Sequence, residues 1–340
     1  RDANNSDHGT AKVGTVSGTS ISFGSAVVFE AANSTFIRAS YDSSAEKILV
    51  VYSDEGDSQK GKGIVGTVSG TSISFGSAAT FNGGQSTYMD AIYHPLAKKV
   101  FVSYTKNTSS DHKIILPATI SGTSVTFGSE VTLLSDQTIY GKTAYDSTSK
   151  VLVVVYRGTS NDRGHASVYQ AAYTETNLTS ENYIGMSRGF ASPATSGSKV
   201  TFESGTMGSE HIGVVYDPDV GRIILAYQDE SNSYYGQAVV GTVSGTSISF
   251  GTPVVFESAK CKDFFAAYDT ANDKVVIAFC DEADSDKGKG IVGTVSGTSI
   301  SFGSAATFNS GATQVQGCVY DTNAGKVVVV YRDSGTTNRG

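Results

Sequence analysis

Val65–Ser77 reads VGTVSGTSISFGS, and the same run returns at Val13–Ser25 and Val292–Ser304, with a copy ending in Thr at Val240–Thr252. A weaker version occupies Pro117–Ser129. Within it, β-branched and small residues alternate on either side of Ser69–Gly70, which is the signal of two strands joined by a two-residue hairpin. A motif repeated at long range across one chain predicts repeat architecture, and its period decides which kind.

Working outward from the hairpin, each copy sits in a larger unit. A strand over Phe36–Tyr41 leads through the turn Asp42–Glu46 into a second, Lys47–Ser53, whose Ile48 to Val51 are all apolar, as in a strand buried on both faces. A polar loop, Asp54–Lys62, precedes the third strand, Gly63–Val68, and the hairpin returns the chain as a fourth, Ser72–Phe81. The tyrosines that end the first strands are Tyr41, Tyr93, Tyr145, Tyr216, Tyr268 and Tyr320, at intervals of 52, 52, 71, 52 and 52 residues. Eleven residues beyond each stands Tyr52, Tyr104, Tyr156, Tyr227, Phe279 or Tyr331, and Phe23, Phe75, Phe127, Phe202, Phe250 and Phe302 mark the hairpin. Six four-stranded units around an axis make a six-bladed β-propeller, an all-β fold occupying residues 1–340 as one domain. An open solenoid is the competing arrangement.

The ends carry the closure. Tyr320 and Tyr331 supply only two strands of the last unit, Gly317–Tyr320 and Lys326–Arg332, and the N-terminus supplies Thr10–Val16 and Ser20–Phe29. Arg1–Gly9 and Arg332–Gly340 share one phase of the repeat, so the N- and C-terminal strands are expected to complete the last blade together. The long interval comes from an insertion, Thr174–Gly197, between the third and fourth strands of its unit. Its Tyr183, Ile184, Met186 and Phe190 would be an exposed apolar patch unless they met a neighbour. The chain starts at Arg1 and is expected to be part of a longer polypeptide.

The Tyr320–Asp321, Lys326–Asp333 and Val292–Gly303 pattern (YD…KVVVVYRD…VGTVSGTSISFG) resembles repeats in large virion-associated proteins of tailed phages, marine phages especially. Asn177–Ala191, NLTSENYIGMSRGFA, is similar to a segment found between such repeats. The resemblance covers nearly the whole chain. It implies a tail-fibre or other surface structural role, with virion or surface-assembly subunits and host glycans as partners and a virion-surface or extracellular location. It carries no catalytic residues over.

Composition limits the chemistry. A net charge of −7 argues against nucleic acid, which needs a concentrated basic surface, and no apolar run exceeds strand length, which argues against membrane insertion by a helix. His8, His94, His112, His165 and His211 show no paired metal-ligand spacing. The acidic loops at Asp54–Asp57 and Asp281–Asp286 do not match a calcium loop, and Lys60, Lys62, Lys287 and Lys289 follow to neutralise them. No metal or cofactor is expected. Cys261, Cys280 and Cys318 cannot all pair, and Cys261 and Cys280, on adjacent strands, are either two buried thiols or a disulfide. Propeller glycosidases need two opposed carboxylates, and only Asp90 and Asp263 stand out on first strands. The chain has no Trp for the motif of sialidase blades, so no enzyme is expected.

Aligning the first strands gives the candidate ligand site. Five residues before each landmark tyrosine stand Phe36, Tyr88, Tyr140, His211, Asp263 and Val315, and three before it stand Arg38, Asp90, Lys142, Gly213, Phe265 and Gly317. The first three units thus pair an aromatic with a charge two residues on: Phe36 with Arg38, Tyr88 with Asp90, Tyr140 with Lys142. Aromatic faces stack on sugar rings and charged groups bond their hydroxyls or carboxylates. The competing reading is that the aromatics wedge between blades while the charges pair with one another. Function is therefore expected to be structural or receptor-binding, with a secreted lectin or a propeller glycosidase as the alternative.

Overall fold

The computed structural model describes residues 7–17, 20–107, 111–135, 138–160, 162–175, 190–192, 194–208, 212–322 and 325–333. Among them the chain is all-β: strands joined by turns and short 3-10 segments, with no α-helix. Two compact units are distinguished, one of Arg1–Ser135, Lys150–Leu152 and Val168–Gly197, the other of Asp136–Ser149, Val153–Ser167 and Ser198–Gly340.

In the first unit the predicted antiparallel order holds through the first two repeats. Asp42 faces Lys47 across the first turn, Val50 faces Ile64 and Val68 faces Ile73 across the Ser69–Gly70 hairpin, where Gly70 takes φ +58°. The turn after most landmark tyrosines is held by the following aspartate: Asp42 accepts from the N–H of Ser44 and Ala45, and in the second unit Asp217 does the same for Asp219 and Val220. The third strand is longer than expected, Lys60–Ser69, because Glu55–Asp57 forms a 3-10 turn and shortens the loop before it.

The main departure is at the repeat boundaries. The outer strand of one repeat and the inner strand of the next are one continuous stretch, Val27–Asp42 and Ala79–His94 in the first unit and Val254–Asp269 and Ala306–Asp321 in the second. Such a strand pairs with one neighbour through its first half and another through its second, as when Ala79 faces Gly63 and His94 faces Lys99. Consecutive repeats therefore merge into two ten-stranded sheets. The sequence NGGQS at Asn82–Ser86 reads as loop, but hydrogen bonds on both flanks keep it extended.

Aromatic triads join successive repeats. Phe81 packs on Tyr104 and Phe127 at 5.1 and 5.3 Å, and Phe256 packs on Phe279 and Phe302 at 5.3 and 5.4 Å. Phe29 meets Tyr52 and Phe75 likewise. This pattern corrects one alignment. Phe202 packs on Tyr227 and Phe250, so it belongs with Phe29, Phe81, Phe256 and Phe308 on the outer strand, not with the hairpin phenylalanines. The hairpin position of that repeat is Ser196: Gly197 donates to the Val168 carbonyl as Gly76 donates to Val65. Tyr169, opposite Ser196, stands where Gly66 faces Phe75, so the ring has crossed to the partner strand.

Of the insertion, the two ends pair as a short ribbon, Tyr173–Glu175 with Phe190–Ser192. Tyr183, Ile184, Met186 and the Phe190 side chain lie outside the described residues.

Candidate functional site

In the first, second and fifth repeats the inner strand is interrupted where the site was expected. Thr35 faces Ser53 and Arg38 faces Val51, so Phe36 and Ile37 together lie against Tyr52. Tyr88 and Met89 lie against Tyr104 in the same way, and Asp263 and Phe264 against Phe279. These are β-bulges, two residues against one. Their first residues have left-handed backbone: Phe36 at φ +50°, Tyr88 at +47° and Asp263 at +57°, with Tyr140 at +54° in the third repeat. That conformation suits glycine and strains an aromatic. The sixth repeat has its irregularity one step later, between Val315 and Gly317, as a β-branched residue resists the left-handed region. His211 lies outside the described residues.

The bulge also resets the side-chain alternation. Ile37 and Met89, one residue after the aromatics, turn into the core, while Phe36 stays half-buried between the first and second repeats. In the first unit four of the six candidate residues come together. The Phe36 and Tyr88 rings are 5.1 Å apart at 60°, and Arg38 Nε is 4.0 Å from Asp90 Oδ1. The guanidinium donates through Nη1 to the Ile37 carbonyl at 2.8 Å. In the second unit Tyr140 and Lys142 are both half-buried, and the Lys142 ammonium lies 5.0 Å over the Phe265 ring, a cation–π contact. Asp263 is buried. Wedged aromatics and partnered charges are thus both present, and the same groups form a small surface of two tilted rings beside one donor and one acceptor.

No family model matches the chain, and no curated protein matches it in sequence. Solved structures do. A triple arginine-to-alanine variant of AofleA from Arthrobotrys oligospora superposes with a TM-score of 0.51 at 12% identity, over 89% of this chain and 80% of that one. The likeness is one of fold alone. AofleA itself (TM-score 0.48, 11% identity, 89% and 80% covered) and the β-propeller domain of Cps50 (Swd1) from Myceliophteria thermophila (0.48, 8%, 91% and 86%) are too distant to argue from.

The remaining candidates resolve into structural roles. In the acidic loops Lys62 Nζ is 2.6 Å from Asp54 and 3.0 Å from Asp57, and Lys289 is 2.5 Å from Asp281 and 3.2 Å from Asp284. Ammonium groups fill the space between these carboxylates, and the hydrogen bond to Asp281 leads those that raise the Lys289 pKa. The three cysteines are free and buried; Cys261 faces Asp281 while Cys280 faces Lys262, so the two are offset by one residue. Burial pushes the Cys318 thiol up to about 12. Sequence reasoning missed Lys113, a fully buried lysine whose Nζ donates to the Tyr88 carbonyl at 3.1 Å. The available signal was a lysine where the repeat otherwise has glycine.

His94 replaces the turn aspartate in the second repeat. Its Nδ1 accepts from Ala97 N–H at 3.2 Å, which leaves Nε2 to donate to the Lys150 carbonyl at 3.2 Å. Protonation would set a second N–H against Ala97, and burial already holds the imidazole below its ordinary pKa. The unfolded chain therefore binds the proton first. His94 costs the fold nothing above about pH 6.5, and stability falls as pH drops below that toward the folded value. Melting temperature should decline from pH 7 to pH 5 less steeply in His94→Asn, which caps the turn without titrating. An unchanged slope would remove His94 from the acid response.

Proposed function

We propose that the chain is a six-bladed β-propeller, its last blade closed by N- and C-terminal strands, that works by binding and not by catalysis. In this reading it is a structural or receptor-binding module of a phage or virus surface, of tail-fibre or adhesin type, meeting other virion subunits and host glycans. The phage assignment rests on the repeat resemblance. The binding reading rests on one observation above others: left-handed backbone, a conformation that costs an aromatic residue energy, recurs at Phe36, Tyr88 and Tyr140, each followed two residues later by a charge.

Closure draws support from what each unit leaves uncovered by itself. In the first unit Phe23 is 62% and Tyr41 56% exposed, whereas their repeat equivalents Phe75 and Phe127 pack in triads and Tyr93 bonds the Ser44 hydroxyl at 2.6 Å. In the second unit Val319, Val328 and Val330 are exposed, whereas their repeat equivalents Ala267, Ile224 and Ala226 are buried.

A secreted lectin is the second reading, favoured by the Phe36–Tyr88 ring pair beside Arg38 and Asp90. Because Asp90 offsets the Arg38 charge, uncharged sugars should bind in preference to acidic ones. A glycan array with a parallel hydrolysis assay tests this. Binding without cleavage is expected, reduced about tenfold or more in Arg38→Ala by loss of a charge-assisted hydrogen bond. Cleavage would make the protein an enzyme, and an empty array would leave only the structural role.

A further inference from the structure

We infer that Lys113 is a positioning residue for the Tyr88 edge of the candidate sugar surface, holding the bulge in its left-handed form. The inference rests on the reading of Phe36, Arg38, Tyr88 and Asp90 as a ligand surface.

The third strand of every repeat has one position that faces the outer-strand aromatic. In five repeats it is glycine: Gly9, Gly61, Gly164, Gly236 and Gly288. A Cβ at any of these would run into a ring, of Phe29, Phe81, Phe202, Phe256 and Phe308 in turn. Glycine and phenylalanine are therefore one packing unit, the ring lying over the bare backbone. In the second repeat both members differ together. Lys113 replaces the glycine and the buried Leu133 replaces the phenylalanine, and the smaller leucine leaves room for a lysine stem.

A lysine is a costly filler. Its ammonium must be taken from water and given partners, whereas the apolar pair used elsewhere needs none. The exchange is accounted for by what the ammonium reaches. Lys113 is 0% exposed and donates to the carbonyl of Tyr88, the residue at φ +47° that begins the bulge. That carbonyl belongs to the peptide linking Tyr88 to Met89. Fixing it fixes the bulge, and with it the Tyr88 ring against Phe36 and the carboxylate of Asp90 beside Arg38. The gain is rigidity in the unliganded protein, which lowers the ordering cost of binding.

Two variants separate this role from simple filling of space. Lys113→Met keeps the stem and loses the ammonium. Lys113→Gly with Leu133→Phe rebuilds the packing of the other repeats, again without the ammonium. Melting temperature, amide hydrogen exchange over residues 88–90 and signal on an array of immobilised neutral oligosaccharides are measured for each against the parent. The double variant should melt within a few degrees of the parent, yet both variants should exchange about tenfold faster over 88–90 and lose about tenfold in array signal, the scale of one hydrogen bond to a charged group. Parental exchange and signal in the double variant would overturn the inference, since volume alone would then explain Lys113. If the parent binds no oligosaccharide while exchange rises as expected, the sugar reading fails and the hold of Lys113 on Tyr88 stands.

Discussion

Deleting residues 1–29 is expected to leave a protein that unfolds or associates. The deletion removes Phe29, whose ring is 5.3 Å from Tyr52 and 5.5 Å from Phe75, together with His8–Ala11, which pairs with Val27–Asp42. Losing this half-buried phenylalanine costs about 1.5–3 kcal/mol by itself, against a total of about 5–15 kcal/mol for a typical protein. Val28 adds little, being exposed. The truncation also leaves Glu30 and Asn33 without their strand partners and takes away the strands proposed to complete the sixth blade, and an unpaired edge of that kind invites pairing with another chain. Size-exclusion chromatography and thermal melting decide the matter. A monomer that melts near the parent temperature would mean that the first 29 residues neither support the fold nor close the ring.

The second large effect is expected from Phe256→Ala. Phe256 touches three rings, Phe264 at 6.0 Å, Phe279 at 5.3 Å and Phe302 at 5.4 Å, and covers the backbone at Gly236. The loss should be about 3 kcal/mol, the low end for a phenylalanine because the ring is half-buried, since the surrounding β-framework cannot collapse into the space. A shift in the denaturant midpoint at constant slope would report it. A midpoint that hardly moves would show that the triads are not what couples one repeat to the next.

Much of the architecture was legible because it depends on short-range chemistry that recurs. The Ser-Gly hairpins, the Tyr-Asp turns and the lysines that follow the acidic loops all act within about ten residues of chain, and each stands in the structure where the sequence put it. What depended on pairing across the sheet was hidden. Asn82–Ser86 looks like a loop by residue type, yet it is strand because both its neighbours bond to it. Phe202 was misaligned because residue identity was followed where geometry had moved the ring to Tyr169. At the candidate site the aromatic-and-charge spacing could be read off directly, but not the bulge, since nothing about Phe36 or Tyr88 announces a positive φ. Lys113 was invisible as a site residue because its role is through a backbone carbonyl of another strand.

The shared strands make repeat length a discrete quantity. Where one stretch, such as Val254–Asp269, is both the end of one repeat and the start of the next, a single inserted or deleted residue would turn every later side chain to the wrong face. Such a chain can diversify by substitution, or by gains of whole hairpins, but not by small indels at its joints. The four equal spacings of 52 and the one of 71 fit that rule. The extra length sits between the third and fourth strands of its repeat, where Tyr173–Glu175 pairs with Phe190–Ser192, and not within a shared strand. New surface can be added there without disturbing the register of anything downstream.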